Sequence, residues 1–278
     1  MIKIIVVIML IVLLIEYAGN NNIHEGFQNN IQINFIDTID FNNFDYLHKF
    51  NSGDISSRKL SGDIVDVYNK SIVKANDDQK DICQEIVKSI STKVNSKYIN
   101  EPWNIVLFKN IENGFPHTHN QLILFPVDNI ALSEDTKITF LHEKIHNIQK
   151  KHPHIFTKLY QDYWGFKRCG TIDIPFQCRA NPDTPNLNWT FHDHILLVKY
   201  NDNPSNLNDV TYVGYNPKTK NVVELKKWKK FADYFGVGNI NYYHPDEISA
   251  TMISNYYFNY KEPTPAFKQL IKWCNDFF

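Results

Sequence analysis

Near the middle of the chain two histidines stand four residues apart, with a glutamate after the first: His142-Glu143-Lys144-Ile145-His146, the pattern HExxH. On an α-helix, residues four apart share one face, with Cβ atoms about 5–6 Å apart. Two imidazoles so placed can meet one metal ion at about 2.0–2.1 Å each. Glu143 lies beside the first of them, within reach of a water on that ion. Zinc lowers the pKa of such a water towards about 7, and a neighbouring carboxylate can take its proton and relay it. These residues point to hydrolysis by a metal-activated water, with His142 and His146 holding Zn2+ and Glu143 as general base. The bland alternative is a solvated helix face that carries two histidines by chance.

The motif resembles that of the zincin metallopeptidases, whose active-site helix carries HExxH behind a sheet edge that binds extended peptide by strand addition. The likeness rests on this motif and on the order of elements over roughly residues 76 to 258. "NQLILFP", from Asn120 to Pro126, stands where that edge strand would be. The resemblance implies an α+β, zincin-like fold: a small mixed sheet, its edge strand packed on the HExxH helix, then a mostly helical C-terminal part. It also implies zinc-dependent cleavage of peptide bonds, with a peptide or protein as substrate.

A catalytic zinc takes three protein ligands and keeps one position open. In the gluzincin branch a later helix supplies a glutamate near its start, in patterns like NExxxD. Glu247 in "HPDEISA" has that setting, so the resemblance implies the ligand set His142, His146 and Glu247. Two positions depart from the pattern. Asp246 stands where it has Asn, and Thr251 where it has Asp, which weakens the group that would orient a ligand histidine. His152, ten residues after His142, has the third-ligand spacing of the metzincin branch. That branch needs a helix break where Gln149 stands. Without the break, His152 lies about 9 Å beyond His146 along the axis. His117 or His119 is a third candidate ligand; two apart in a strand, they point to one side and can instead line the cleft or hold substrate. His194, Tyr242, Tyr243 and Arg179 are all available to stabilise an oxyanion, and spacing selects none of them. Two alternatives stay open: an inactive binding or structural protein on the same scaffold, and a metal hydrolase of non-peptide substrates.

The elements that must position these groups are legible in outline. Ser133 precedes Glu134 and Asp135, a start suited to the helix dipole. Ile138, Leu141, Ile145 and Ile148 form one apolar stripe, and Pro153 stops the helix. Upstream, Ile82, Ile86, Ile90 and Val94 recur every four residues, with Asn76 or Asp77 as cap. Trp103–Phe108 and Gln121–Phe125 are strand-length apolar runs. "HIFTKLYQDYWGF" reads as a further helix, and "HILLVKY" and "DVTYVGY" as short strands. "KKWKKFADYFGVG", "HPDEISATMISNYYFNY" and "PAFKQLIKWCNDFF" read as helices, the second with Pro245 at its first position.

Bulk properties set the limits. The chain has 278 residues, 43% hydrophobic and 14% aromatic, enough for a sizeable core. Its net charge of -1 gives no basic field for nucleic acid, and none is expected as a partner. Residues 1–18 read as an N-terminal hydrophobic signal-anchor, with an unbroken apolar run from Ile4 to Ile15, or else as a cleaved signal peptide. The expected location is therefore a single-pass membrane protein with a lumenal or extracellular domain, or a secreted one. Residues 19–62 read as an Asn-rich lead-in or stalk, and 63–278 as the zincin-like domain. Cys169 can pair with Cys178 in an oxidising compartment, leaving Cys83 and Cys274. The sequons at Asn69 and Asn188 fit that setting.

Overall fold

The computed structural model describes residues 31–184, 188–236, 241–258 and 264–278. Two sheets and a set of helices make up the body. The first sheet combines β1 (Ile33–Phe35), β2 (Ile72–Val73), β3 (Trp103–Phe108), β4 (His117–His119) and β5 (Leu122–Pro126), in the order β1-β3-β5-β4 with β2 also on β3. β1 and β5 run parallel to β3, whereas β2 and β4 are antiparallel to their neighbours. The second sheet is antiparallel throughout, in the order β10-β9-β8-β7-β6. It contains β6 (Phe166–Cys169), β7 (Asn188–Phe191), β8 (His194–Tyr200), β9 (Val210–Tyr215) and β10 (Val222–Glu224).

The helices are α1 (Ser52–Ser57), α2 (Ile64–Ser71), α3 (Asp77–Lys93), α4 (Glu134–Lys151), α5 (Pro153–Lys158), α6 (Lys229–Phe235), α7 (Pro245–Phe258) and α8 (Pro265–Phe277). Local chemistry explains their starts. Asn76 and Gln79 cap α3 reciprocally, as Asn51 and Asp54 cap α1. Thr264 caps α8 just before Pro265. A π-helical turn, Leu159–Tyr163, continues α5. Helix α4 packs on α7 and α3, and Phe140 meets Phe125 of β5 with ring centroids 4.3 Å apart.

The fold is thus α+β with one mixed sheet, in which β5, the segment expected at the edge, lies inside between β3 and β4, and three further expectations need correction. The part after α4 holds the five-stranded antiparallel sheet between α5 and α6, so it is not mostly helical. Short strands between Pro and Asn turns pair in long register there, as between β8 and β9. The lead-in expected over 19–62 is folded from Ile33 on. Phe41 and Leu47 are buried with Tyr68, Val106, Phe108, Ile111 and Leu124 in one core cluster. Burial of such side chains is worth about 1.5–3 kcal/mol each, which outweighs the weak local propensity of an Asn-rich run.

The third correction concerns the membrane anchor. No helix among the described residues is long and apolar enough to cross a membrane. The run read as an anchor, residues 1–18, lies outside the described residues. All four cysteines are free thiols.

Candidate metal centre

Helix α4 carries the central groups. Ser133 accepts from the Thr136 N–H, Glu134 and Asp135 occupy the first turn, and Lys150 and Lys151 the last. Leu141, Ile145 and Ile148 are buried as the stripe requires, whereas Ile138 is only half-buried and Phe140 is fully buried. Lys144 also faces inward. Its Nζ donates to the Glu101 and Pro102 carbonyls at 2.9 Å each and lies 4.9 Å from the Trp103 ring centroid. Burial pushes its pKa down to about 7.

One turn apart on the opposite face, His142 Nε2 and His146 Nε2 stand 3.0 Å from each other. Glu247, from the first turn of α7, brings Oε2 to 3.4 Å from His142 Nε2 and 3.7 Å from His146 Nε2. Three ligands at about 2.0–2.1 Å from a tetrahedral ion sit about 3.3–3.4 Å apart. The donor set therefore fits a small divalent cation, and His142, His146 and Glu247 form a group that can hold one. Two imidazole nitrogens this close, with a carboxylate oxygen beside them, call for positive charge between them.

Neighbouring side chains fix the donors. Gln149 Oε1 is 2.7 Å from His146 Nδ1, which leaves Nε2 for the ion. The same amide donates through Nε2 to the Asp246 carbonyl and to Ser249 Oγ, both at 2.8 Å, so it clasps α4 to α7. On Glu247, Oε1 accepts from Asn181 Nδ2 at 2.6 Å and from the Tyr243 hydroxyl at 3.1 Å. Both bonds go to one oxygen, and the other is turned towards the histidines. Thr251, the weakened position of the NExxxD pattern, takes no part. Its Oγ1 is buried with no hydrogen-bond partner among the described residues.

Glu143 is buried, lines the same cleft, and leaves Oε2 without a partner among the described residues. Burial, then the carboxylates of Asp183 and Glu247, push its pKa well above the usual range against the pull of His146. Burial alone would push His146 down. The charges of Glu247, Asp183 and Glu143 outweigh this and push it up to about 10. The field at this point is negative, as a cation site requires. The cleft holds about 400 Å³ and is also lined by His117, Arg179, Asn181, Asp183, Tyr212 and Tyr243.

The other sequence candidates lie elsewhere or play other parts. His152 caps the end of α4 and pairs with Glu101 Oε1 at 2.7 Å, away from the triad. His117 lines the cleft, and its Nε2 has no partner among the described residues. His119 packs among the rings of Phe41, Phe44 and Tyr46. Of the four oxyanion candidates, Arg179 and Tyr243 line the cleft, whereas His194, at the start of β8, packs against Trp228 with ring centroids 4.5 Å apart. Sequence reasoning missed Gln149 as an orienting group, along with Asn181 and Asp183. Gln149 lies three residues after His146, where helical spacing brings side chains together, and that spacing was the available signal. The loop of Asn181 and Asp183 carries no such periodic mark.

No protein-family model matches this chain, and no curated protein and no solved structure matches it significantly.

Proposed function

We propose that the protein is a zinc-dependent hydrolase of peptide bonds of the gluzincin-like zincin type. The observation that carries this is the convergence of His142 Nε2, His146 Nε2 and Glu247 Oε2 in a cleft that also holds the unpartnered Glu143. Two nitrogens and one carboxylate oxygen, without thiolate, make a donor set suited to catalytic zinc. When bound, zinc supplies Lewis acidity to a carbonyl oxygen and acidifies water. Glu143 takes a proton from the attacking water as its oxygen bonds to the amide carbon. It then delivers that proton to the leaving nitrogen as the C–N bond breaks. Gln149, Asn181 and Tyr243 keep the donors aimed throughout.

Metal analysis and peptide hydrolysis test the proposal together. Purified protein is expected to bind one equivalent of zinc, and His142→Ala to lose it. Glu143→Gln is expected to keep the zinc while hydrolysis falls by about 10²–10⁴-fold. Zinc content unaltered in His142→Ala, or full activity in Glu143→Gln, would end it.

A further inference from the structure

Strand β4 terminates the first sheet beside the cleft, and β5, which holds the segment expected at the edge, lies inside it between β3 and β4. The free side of β4 is closed. Thr118 turns its backbone away from β5, and its N–H donates to Asp183 Oδ1 at 2.6 Å. Its carbonyl accepts from Lys150 Nζ at 2.8 Å. The Lys150 ammonium lies 3.7 Å from that same Asp183 oxygen. Strand residues alternate, so the next outward positions are 116 and 120. Pro116 has no N–H to offer. Asn120 has φ of 51°, outside the extended range, so the chain turns off there. A substrate strand therefore finds no free N–H in register on β4.

Arg179 supplies the second observation. It lines the cleft, and its Nη1 donates to the Leu207 carbonyl at 3.0 Å. Its guanidinium carbon lies 5.4 Å from the ring centroid of Tyr243, whose hydroxyl reaches Glu247. Among the described residues no carboxylate forms an ion pair with it. Arg58, the other guanidinium in the wall, is saturated by Asp54 and Glu112 at 2.9 Å each. Arg179 is thus a permanent cation in the field of Glu247, bonded to the Leu207 carbonyl and to Tyr243, and its five N–H groups exceed those two bonds. A cleft of about 400 Å³ has room for a small ligand beside Arg179.

We infer that the site takes a small amide bearing a free carboxylate, a short peptide or N-acyl amino acid, and not an extended chain paired with β4. Arg179 receives the carboxylate, and the amide lies towards Glu143. This rests on the hydrolase proposed above, whose substrate class it narrows.

Calorimetry on zinc-loaded Glu143→Gln separates the possibilities, with N-benzoyl-glycyl-glycine and its C-terminal amide as probes. The free acid is expected to bind about 10–100-fold tighter, the effect of one charge-assisted contact. Arg179→Gln is expected to erase that preference, and Arg179→Lys to restore part of it. Reduced, alkylated casein is expected not to compete. Equal binding of acid and amide, or effective competition by casein, overturns the inference, and neither result depends on the Arg179 variants folding. The same titrations on metal-free protein keep the two ideas apart. Failure to bind zinc strikes the metal centre, whereas the acid-over-amide preference is still read there.

Discussion

Glu112 and Glu143 are each 4% exposed and line the same cleft, yet their surroundings are opposite. Glu112 accepts from Arg58 Nε at 2.9 Å, from the Tyr46 hydroxyl at 2.9 Å and from the Tyr68 hydroxyl. Burial would raise its pKa, but Arg58, then His117, more than offset this and hold it below the usual carboxylate range. Glu143 has other carboxylates for neighbours and is pushed up. Around Arg58 the groups satisfy one another within the chain. Asp54 Oδ1 takes Arg58, Tyr200 and the Ala180 N–H, and the Ala180 carbonyl takes Arg58. Around Glu143 the polar atoms converge without completing one another. A closed buried network rigidifies a fold, whereas an open one leaves buried polar atoms at a cost.

The two regions are also joined. Asp54 and Arg58 grip Ala180, and the next residue, Asn181, bonds to Glu247. Breaking the closed network is therefore expected to have the largest effect on stability. Arg58→Met strands Asp54 and Glu112 as buried, unpaired charges, and urea unfolding is expected to show a loss of about 3–5 kcal/mol. A loss below about 1 kcal/mol would mean that the network is not what holds this wall, since exposed ion pairs contribute no more than that.

Gln149 comes next. Gln149→Leu removes the group orienting His146 and is expected to weaken zinc about 10–100-fold, read by competition with a chromophoric chelator. Unaltered affinity would place the orienting force elsewhere.

Acid titration probes the closed side. Because the folded-state pKa of Glu112 is lowered, its stabilisation is full above the unfolded value of about 4.3 and is lost as pH falls through the folded value. Thermal melts below pH 5 are expected to show this decline, and Arg58→Met to make it shallower. An equally steep decline in that variant would assign the acid sensitivity to other groups.

Thr251→Val gives the smallest effect. Removing an unpartnered buried hydroxyl is expected to change stability by at most about 1 kcal/mol, in the stabilising direction, with zinc affinity unaltered. A clear loss of zinc would show that the hydroxyl orients a ligand after all.

These contrasts track what the sequence could reveal. His142, Glu143 and His146 were legible because helical geometry is local and four residues of spacing fix a shared face. Glu247 was reached only through the family resemblance, with Pro245 and the acidic first turn marking the start of its helix. Phe41, Leu47 and Arg58 were not, because their partners lie far along the chain and the Asn-rich run around them has no period. β4 is too short for alternation to register, so the edge position was assigned to its longer neighbour. Asn181 and Asp183 sit in a Pro/Asn loop whose path is set by Arg58, Asp54 and β8, none of them close in sequence.

The closed rim of β4 has one more consequence. An unpaired terminal strand can template a second molecule, and many proteins blunt such edges with charge or proline. Here Lys150, Asp183 and Pro116 already do so. This side of the first sheet is protected against edge-to-edge self-association at high concentration by side chains from α4 and from the loop of Asp183.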